Sequence, residues 1–274
     1  MKTLHKTLIL ASLLSSSIFL NSCDKEDETQ PVQEYSADEA ALAAQADTAI
    51  EGTITIMENG YDESDAARNT SISLFPECTS IGFEPNGDGT GTITLDFGTG
   101  CTLNNGATVS GVIILAYEAI VNDSRVIHYT FDNYFYNGNG VEGGGEILRE
   151  LTNNNGNPQS TVNETITVTF PSSTTTATRN GLRIAEWVEG VGSGTWIDNV
   201  YHVTGNWDTA FTNGFERSGV VTETLVRRLN CPYLVSGVLE VTQDGLTGSL
   251  DFGNGDCDAQ ATFTFNGVDY PIFL

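Results

Sequence analysis

Positive charge is what this sequence has least of. Only 11 of its 274 residues are Lys or Arg, against 36 Asp and Glu, for a formal net charge of −25. A chain this acidic repels phosphates, which argues against DNA, RNA and anionic headgroups as partners. It leaves metal cations and neutral glycans open, and it keeps a crowded surface protein soluble. Histidine is scarce as well: there are three, and only His128 and His202 lie beyond the first residues. Neither stands in a metal-ligand spacing, so a His-based zinc centre and a Ser-His-Asp triad are both poorly supported. The glycine-rich stretch Glu189–Trp196, "EGVGSGTW", lacks the Gly-x-Ser-x-Gly order of a nucleophile elbow. Two Asp-Phe-Gly phrases occur, but the glycine loop, strand lysine and His-Arg-Asp of a kinase do not.

What is present begins at the N-terminus. Lys2 and Lys6 precede an apolar and small-residue run, Thr7–Leu20, which is too short to span a bilayer and reads as a signal sequence. The run ends in Leu20-Asn21-Ser22-Cys23, which resembles the lipobox of bacterial lipoproteins. That resemblance implies cleavage before Cys23 and acylation of its thiol and freed amine. Each buried methylene contributes about 0.8 kcal/mol, so several chains hold a protein on a membrane. Loss of residues 1–22 removes Lys2 and Lys6 and no acid, leaving nine basic against 36 acidic residues, a net −27. Residues 23–35 are acidic and poor in large apolar groups, the composition of a flexible tether. Within them Lys25-Glu26-Asp27 resembles the export signal of Bacteroidota surface lipoproteins, which implies an outer-membrane anchor facing the cell exterior.

Cys78, Cys101, Cys231 and Cys257 remain after Cys23, an even set suited to an oxidising compartment and open to three pairings. A repeat bears on the choice. "TLDFGTGC" at 94–101 returns as "SLDFGNGDC" at 249–257, with a further cysteine upstream of each. Counted from Cys101 and Cys257, Thr108 aligns with Thr264, Gly111 with Gly267 and Val112 with Val268, giving duplicated units at 78–112 and 231–268. Equivalent units predict Cys78–Cys101 and Cys231–Cys257, whereas repeats lying side by side would allow pairing between copies. In each phrase alternation sends Leu and Phe to one face and Asp to the other. Asp96 and Asp251 are then placed to accept turn amides.

Ser36-Ala37-Asp38-Glu39 has capping-box spacing, so a short helix is expected over 36–50. From 51 to 274 the pattern has period two. Runs rich in Thr, Val, Ile and aromatics, from Gly52–Met57 through 91–97, 107–117, 125–136, 160–170, 200–211, 220–226 and 234–241 to 261–267, are separated by Asn-Gly, Asp-Gly and other glycine-rich turns. The expected fold is all-β: an antiparallel meander of a dozen or more strands in one domain, either a sandwich or an open, curved, barrel-like sheet.

Few residues suggest chemistry. A glycosidase needs only two carboxylates at the right separation, and with 36 acids no pair stands out. Glu84, Asn86 and Asp88 fall on the first, third and fifth positions of an EF-hand-like loop. Leu95 occupies the twelfth, where a bidentate acid belongs, so a hairpin turn is the stronger reading. In Ile127–Gly143, strict alternation places Ile127, Tyr129, Phe131 and Phe135 on the core face. His128, Thr130, Asp132, Tyr134 and Tyr136 then lie opposite, where Tyr134 and Tyr136, like Trp187, Trp196 and Trp207 elsewhere, would be available to stack on a sugar. No cofactor is called for.

The lipobox with its acidic tail, "TFDNYFYNGNGVEG" (130–143), "YHVTG" (201–205) and "LDFGNGDCDAQATFTFNGVDY" (250–270) together resemble a group of flavobacterial-type Bacteroidota surface lipoproteins with an all-β domain. The resemblance carries no catalytic residue with it. The expected function is a non-enzymatic binding or assembly module, held to the outer membrane through Cys23 and meeting a protein or glycan partner. The alternatives are a glycan hydrolase with paired carboxylates and a lipid or lipoprotein carrier with a greasy concave face.

Overall fold

A computed structural model describes residues 37–66 and 73–274. Cys23, Lys25, Glu26, Asp27 and Ser36 lie outside the described residues. One helix, α1 (Ala37–Ala66), precedes fourteen strands: β1 Ser80–Pro85, β2 Gly91–Asp96, β3 Cys101–Thr102, β4 Thr108–Tyr117, β5 Ser124–Tyr136, β6 Asn139–Glu150, β7 Gln159–Thr169, β8 Thr176–Glu189, β9 Val200–Phe211, β10 Glu216–Arg228, β11 Leu234–Gln243, β12 Leu246–Asn254, β13 Gln260–Phe265 and β14 Val268–Phe273. They make one antiparallel meander, in which each strand pairs with its sequence neighbours and the two-residue β3 rests beside β4. The protein is therefore a single sheet and not a sandwich. β1 and β14 end it without pairing to each other. Three of its hairpins turn on Asn137-Gly138, Asp244-Gly245 and Asn266-Gly267, with φ positive at both positions. That conformation matches the right-handed twist of the flanking strands.

The helix is twice the length expected. Gly52–Met57, which alternates like a strand and carries the β-branched run Thr53-Ile54-Thr55-Ile56, is helical, and the helix continues to Ala66. Packing overrides propensity here. Ala43, Ala46, Ala49, Ile50, Thr53, Ile54, Met57 and Tyr61 form one buried stripe against the sheet. Full burial of side chains the size of Ile50, Ile54 and Met57 contributes about 1.5–3 kcal/mol each. Thr53 is accommodated because its hydroxyl donates to the Ala49 carbonyl (2.6 Å) inside the helix. Gly52 and Gly60 sit where a Cβ would strike the Tyr136 ring and the Leu95 side chain, so both glycines bring the helix close to the sheet. The face of the sheet along β2 and β4–β7 is thereby covered by α1, with Leu95, Ile113, Leu115, Ile127, Tyr129, Val162 and Ile166 beneath it. A smaller apolar cluster, around Val203, Leu225, Phe252 and Ala261, holds the C-terminal strands.

Both disulfides close within a copy of the repeat. Cys78 bonds Cys101 across a Cα separation of 5.5 Å, and Cys231 bonds Cys257 across 5.7 Å, separations normal for a disulfide. Each ties the open end of a hairpin, β1–β2 in one case and β11–β12 in the other. The paired phrases are strand ends followed by Asx turns: Asp96 Oδ1 accepts the Gly98 amide and Asp251 Oδ1 the Gly253 amide, both at 2.8 Å. Phe97 and Phe252 point inward. Beyond the second cysteine the copies diverge, contrary to the alignment of Gly111 with Gly267. Gly111 lies inside β4, whereas Gly267 is in the β13–β14 turn. The physical difference is the extent of pairing: β4 covers β2 from Gly91 to Asp96, but β13 meets β12 only over Ser249–Asp251.

Candidate functional site

The aromatic face proposed for stacking is reversed by one residue. Asn133 adopts φ +47° and Gly111, across the β4–β5 ladder, φ +84°, at a bulge where the register slips. One extra residue moves every later side chain to the other face. Tyr134 and Tyr136 are consequently 2% and 3% exposed in the core, and Phe135 is 43% exposed outside it. Neither tyrosine is available to stack on a ligand. Tyr134 lies against Phe97 and Phe131, and burial pushes its hydroxyl above the ordinary tyrosine range. Gly111 is required at the bulge, because a Cβ there would run into the Asn133 carbonyl.

Glu84, Asn86 and Asp88 belong to the β1–β2 hairpin. Asp88 Oδ1 accepts the Thr90 hydroxyl (2.7 Å) and amide (3.0 Å), bonds that hold its carboxyl below the usual range, and Asn86 Nδ2 donates to Thr90 Oγ1. Glu84 pairs with Thr92 in the ladder. The carboxylate at the loop's centre thus closes a turn. Among the described residues no group of three or more His, Cys, Asp or Glu is arranged to hold a metal. His128 is on the outer surface between Glu118 (3.2 Å) and Glu146 (3.5 Å).

The charged residues that the fold does gather went unread in the sequence. Along α1, Asp47, Glu51, Glu58 and Asp62 form an acidic stripe beside the apolar one, at spacings of four, seven and four. Sheet arginines meet it. Arg149 Nη2 donates to Asp62 at 2.8 Å, with both side chains 9% exposed. Arg183 reaches Glu58 (2.6 Å) and Glu51 (3.7 Å). Arg179 reaches Glu51 (2.5 Å), Asp47 (3.8 Å) and, from the neighbouring strand, Glu164 (3.1 Å). Arg217 pairs with Asp47 and, with Arg179, brackets the Trp207 ring at 5.2 and 4.7 Å. Arg125 stacks on Tyr117 at 4.8 Å.

Burial and pairing compete in this layer. For Glu51 the arginines outweigh burial, and its carboxyl is held low. For Asp47 burial prevails over Arg217 and Arg179 and pushes the carboxyl up. Glu164 is the extreme: burial lifts its carboxyl to about 7, although Arg179 pulls it down. Gly181, directly opposite in the ladder, makes room for it, and Glu164 Oε2 is buried with no hydrogen-bond partner among the described residues.

At the end of the sheet where β8 turns into β9 and β10 into β11 there is an open cleft of about 790 Å³. Its floor is the face of α1 bearing Gly52, Thr55, Ile56 and Asn59, with Arg227 beside them. Its walls come from residues 73–75, 103–105, 194–197 and 229–232. These loops are fastened to one another. Glu63 accepts the Ser73 hydroxyl and the Leu74 amide at 2.6 and 2.8 Å, and Asn104 Nδ2 donates to the Leu74 carbonyl at 3.1 Å. On the other side the Leu229 amide donates to Asn199, whose own amide donates to Trp196. Loops pinned in this way present a preformed surface. Trp196 and Ile197 face into the cleft, and Ile197 is 64% exposed. None of the described residues lining the cleft is Asp or Glu. No protein-family model, curated protein or solved structure matches this chain.

Of the aromatics weighed in the sequence, Trp196 is placed at the cleft, Trp207 is in the arginine layer, and Trp187 stacks on Tyr201 at 5.9 Å. The arginine layer did leave a signal. In β8, Ala177, Arg179, Gly181, Arg183 and Ala185 alternate with the opposite face, so two of the chain's few cations share a face with its smallest residues. The cleft left none, because its walls come from four loops far apart in the chain.

Proposed function

We propose that this protein is a lipid-anchored binding module of the outer membrane, displayed outward on its acidic tether, and that the cleft at the loop end is its ligand site. The observation that carries the reading is the cleft's lining: a volume of about 790 Å³ walled by apolar and amide side chains, with no Asp or Glu among the described residues. Volumes of about 300–1,000 Å³ suit a small ligand. A glycan hydrolase would need two carboxylates facing one another in such a place. The carboxylates facing the helix–sheet layer are instead engaged by arginine. Acids do line a shallower groove of about 430 Å³ at the opposite end, where Asp208, Glu216 and Asp244 surround Arg217, and hydrolysis would have to be sited there. The carrier reading needs an exposed apolar face, whereas along β2 and β4–β7 that face is covered by α1.

Two experiments test the proposal. Cys23→Ala is expected to move the protein from the membrane to the soluble fraction; retention on membranes in high salt refutes the anchor. Native mass spectrometry of the purified protein against a panel of neutral oligosaccharides and amphiphiles is expected to show a ligand that Trp196→Ala weakens. Hydrolysis of a panel glycan, lost on Asp208→Asn, would instead establish the enzyme.

A further inference from the structure

Two of the six arginines in the helix–sheet layer have no carboxylate within salt-bridge range among the described residues: Arg125, which lies over the Tyr117 and Tyr61 rings, and Arg227, for which no ring takes that place. Arg227 Nη1 donates to Thr55 Oγ1 at 3.1 Å, and among the described residues no carboxylate comes within salt-bridge range of it. Its remaining N–H groups have no hydrogen-bond partner there either. Arg149, Arg179, Arg183 and Arg217 each have at least one acid. In a chain with 36 acids and 11 basic residues, a half-buried guanidinium left without a carboxylate is not explained by any shortage of acids. Arg227 is also the arginine on the floor of the cleft.

We propose that the cleft binds a monoanionic amphiphile, an acyl or aryl carboxylate, with its head group on Arg227 and its apolar body against Trp196, Ile197, Phe75 and Leu103. This rests on the cleft being the ligand site. A guanidinium offers a carboxylate two parallel N–H donors, and Thr55 already fixes one edge of the fork. Asn59, at the same floor, supplies an amide for a remaining lone pair. The six arginines of this layer face five carboxylates, Asp47, Glu51, Glu58, Asp62 and Glu164, so the layer is locally cationic in a molecule of strong opposite charge. That overall charge, −25 for the whole chain, selects against nucleotides and other polyanions. A single negative charge sunk at the cleft floor escapes most of the repulsion. Burial and the neighbouring Arg183 already hold the Arg227 guanidinium below its ordinary pKa, with Glu58 and Glu51 acting the other way. An arriving carboxylate relieves that strain, whereas the fold alone does not draw on the charge.

The test is calorimetric titration of the intact protein at pH 7.5 with decanoate, decanol and decyltrimethylammonium. Decanoate is expected to bind at least about tenfold more tightly than decanol, the usual scale of a charge-assisted hydrogen bond. Arg227→Gln is expected to weaken decanoate about ten- to a hundredfold while leaving decanol unchanged and thermal stability undiminished. Arg227→Lys should keep part of the preference. Trp196→Ala should weaken decanoate and decanol alike. Equal binding of decanoate and decanol, a preference for the cation, or a preference for decanoate that survives Arg227→Gln would overturn the inference and leave the binding-module reading standing. Should Arg227→Gln fail to fold, the wild-type comparison of decanoate with decanol decides alone. Silence from all three amphiphiles also overturns it, and the wider reading falls only if the oligosaccharide panel is silent as well.

Discussion

Replacing Glu164 by Gln should make the protein more stable in mildly alkaline buffer and leave it little changed in acid. Glu164 has a side chain 1% exposed, one oxygen on Arg179 and the other without a hydrogen-bond partner among the described residues. Its carboxyl is raised from the ordinary value near 4.5 to about 7 by burial, which outweighs the attraction of Arg179. The folded state therefore holds a proton that the unfolded state releases at lower pH. Between those two values the unfolded chain binds fewer protons, so stability falls as pH rises. Below about pH 4.5 both states are protonated and no cost exists; above about pH 7 the cost is complete. A shift of this size corresponds to about 3 kcal/mol. Glutamine keeps the shape and never ionises. The stability difference between Glu164→Gln and wild type should accordingly grow by about 3 kcal/mol between pH 4.5 and 8, measured by urea unfolding with the disulfides intact. Subtracting the two proteins cancels the other titrating groups, including Asp47, whose raised carboxyl adds a slope of the same sign. A difference that stays flat across this range would refute the reasoning. A wild type that gains on the variant with rising pH would show that the Arg179 pair outweighs burial after all.

Gly111→Ala should lower stability by about 2–4 kcal/mol in chemical unfolding, since the position combines positive φ with a blocked approach to the Asn133 carbonyl; an unchanged midpoint would mean that the bulge can move. Arg149→Met should cost about 3–5 kcal/mol by breaking the buried Arg149–Asp62 pair, and adding Asp62→Leu should recover part of it; a double variant no better than the single would place the loss in the cation–π contact with Tyr61. Replacing Cys231 and Cys257 with Ala should cost about 3 kcal/mol for a bridge spanning 26 residues. A non-reducing peptide map must link each to the other, and a Cys101–Cys257 peptide would contradict the pairing.

Strands such as β2, β4, β5 and β7 were legible because each carries its own period-two signal and turn residues, as in 125–136 before Asn137-Gly138. The disulfides followed from the repeat, which records a local hairpin closed by a local bridge. Three things escaped. Thr53–Ile56 reads as strand because β-branched residues prefer it, and only the sheet beneath makes it helix. Tyr134 and Tyr136 were assigned to the wrong face because a single left-handed residue, Asn133, inverts the count, and its partner Gly111 is 22 positions away. The helix–sheet pairs of the arginine layer are 87 to 172 residues apart, as in Arg149 with Asp62 and Arg227 with Thr55, and spacing along the chain cannot reveal such a distance.

Those distances also set an order of events. The helix is made first and its partners last: Glu51 waits 128 residues for Arg179, and Thr55 waits 172 for Arg227. Until then α1 is a poor helix on its own, with two glycines and a β-branched stretch. The sheet, equally, has an uncovered apolar face until α1 docks. The strand pairs close locally, but docking α1 on the sheet's arginines closes loops of 87 to 172 residues, and that entropy has to be met before the helix–sheet pairs form. Docking of the helix is then expected to be the slow step, and until it occurs the dense negative charge keeps the chain apart from its copies.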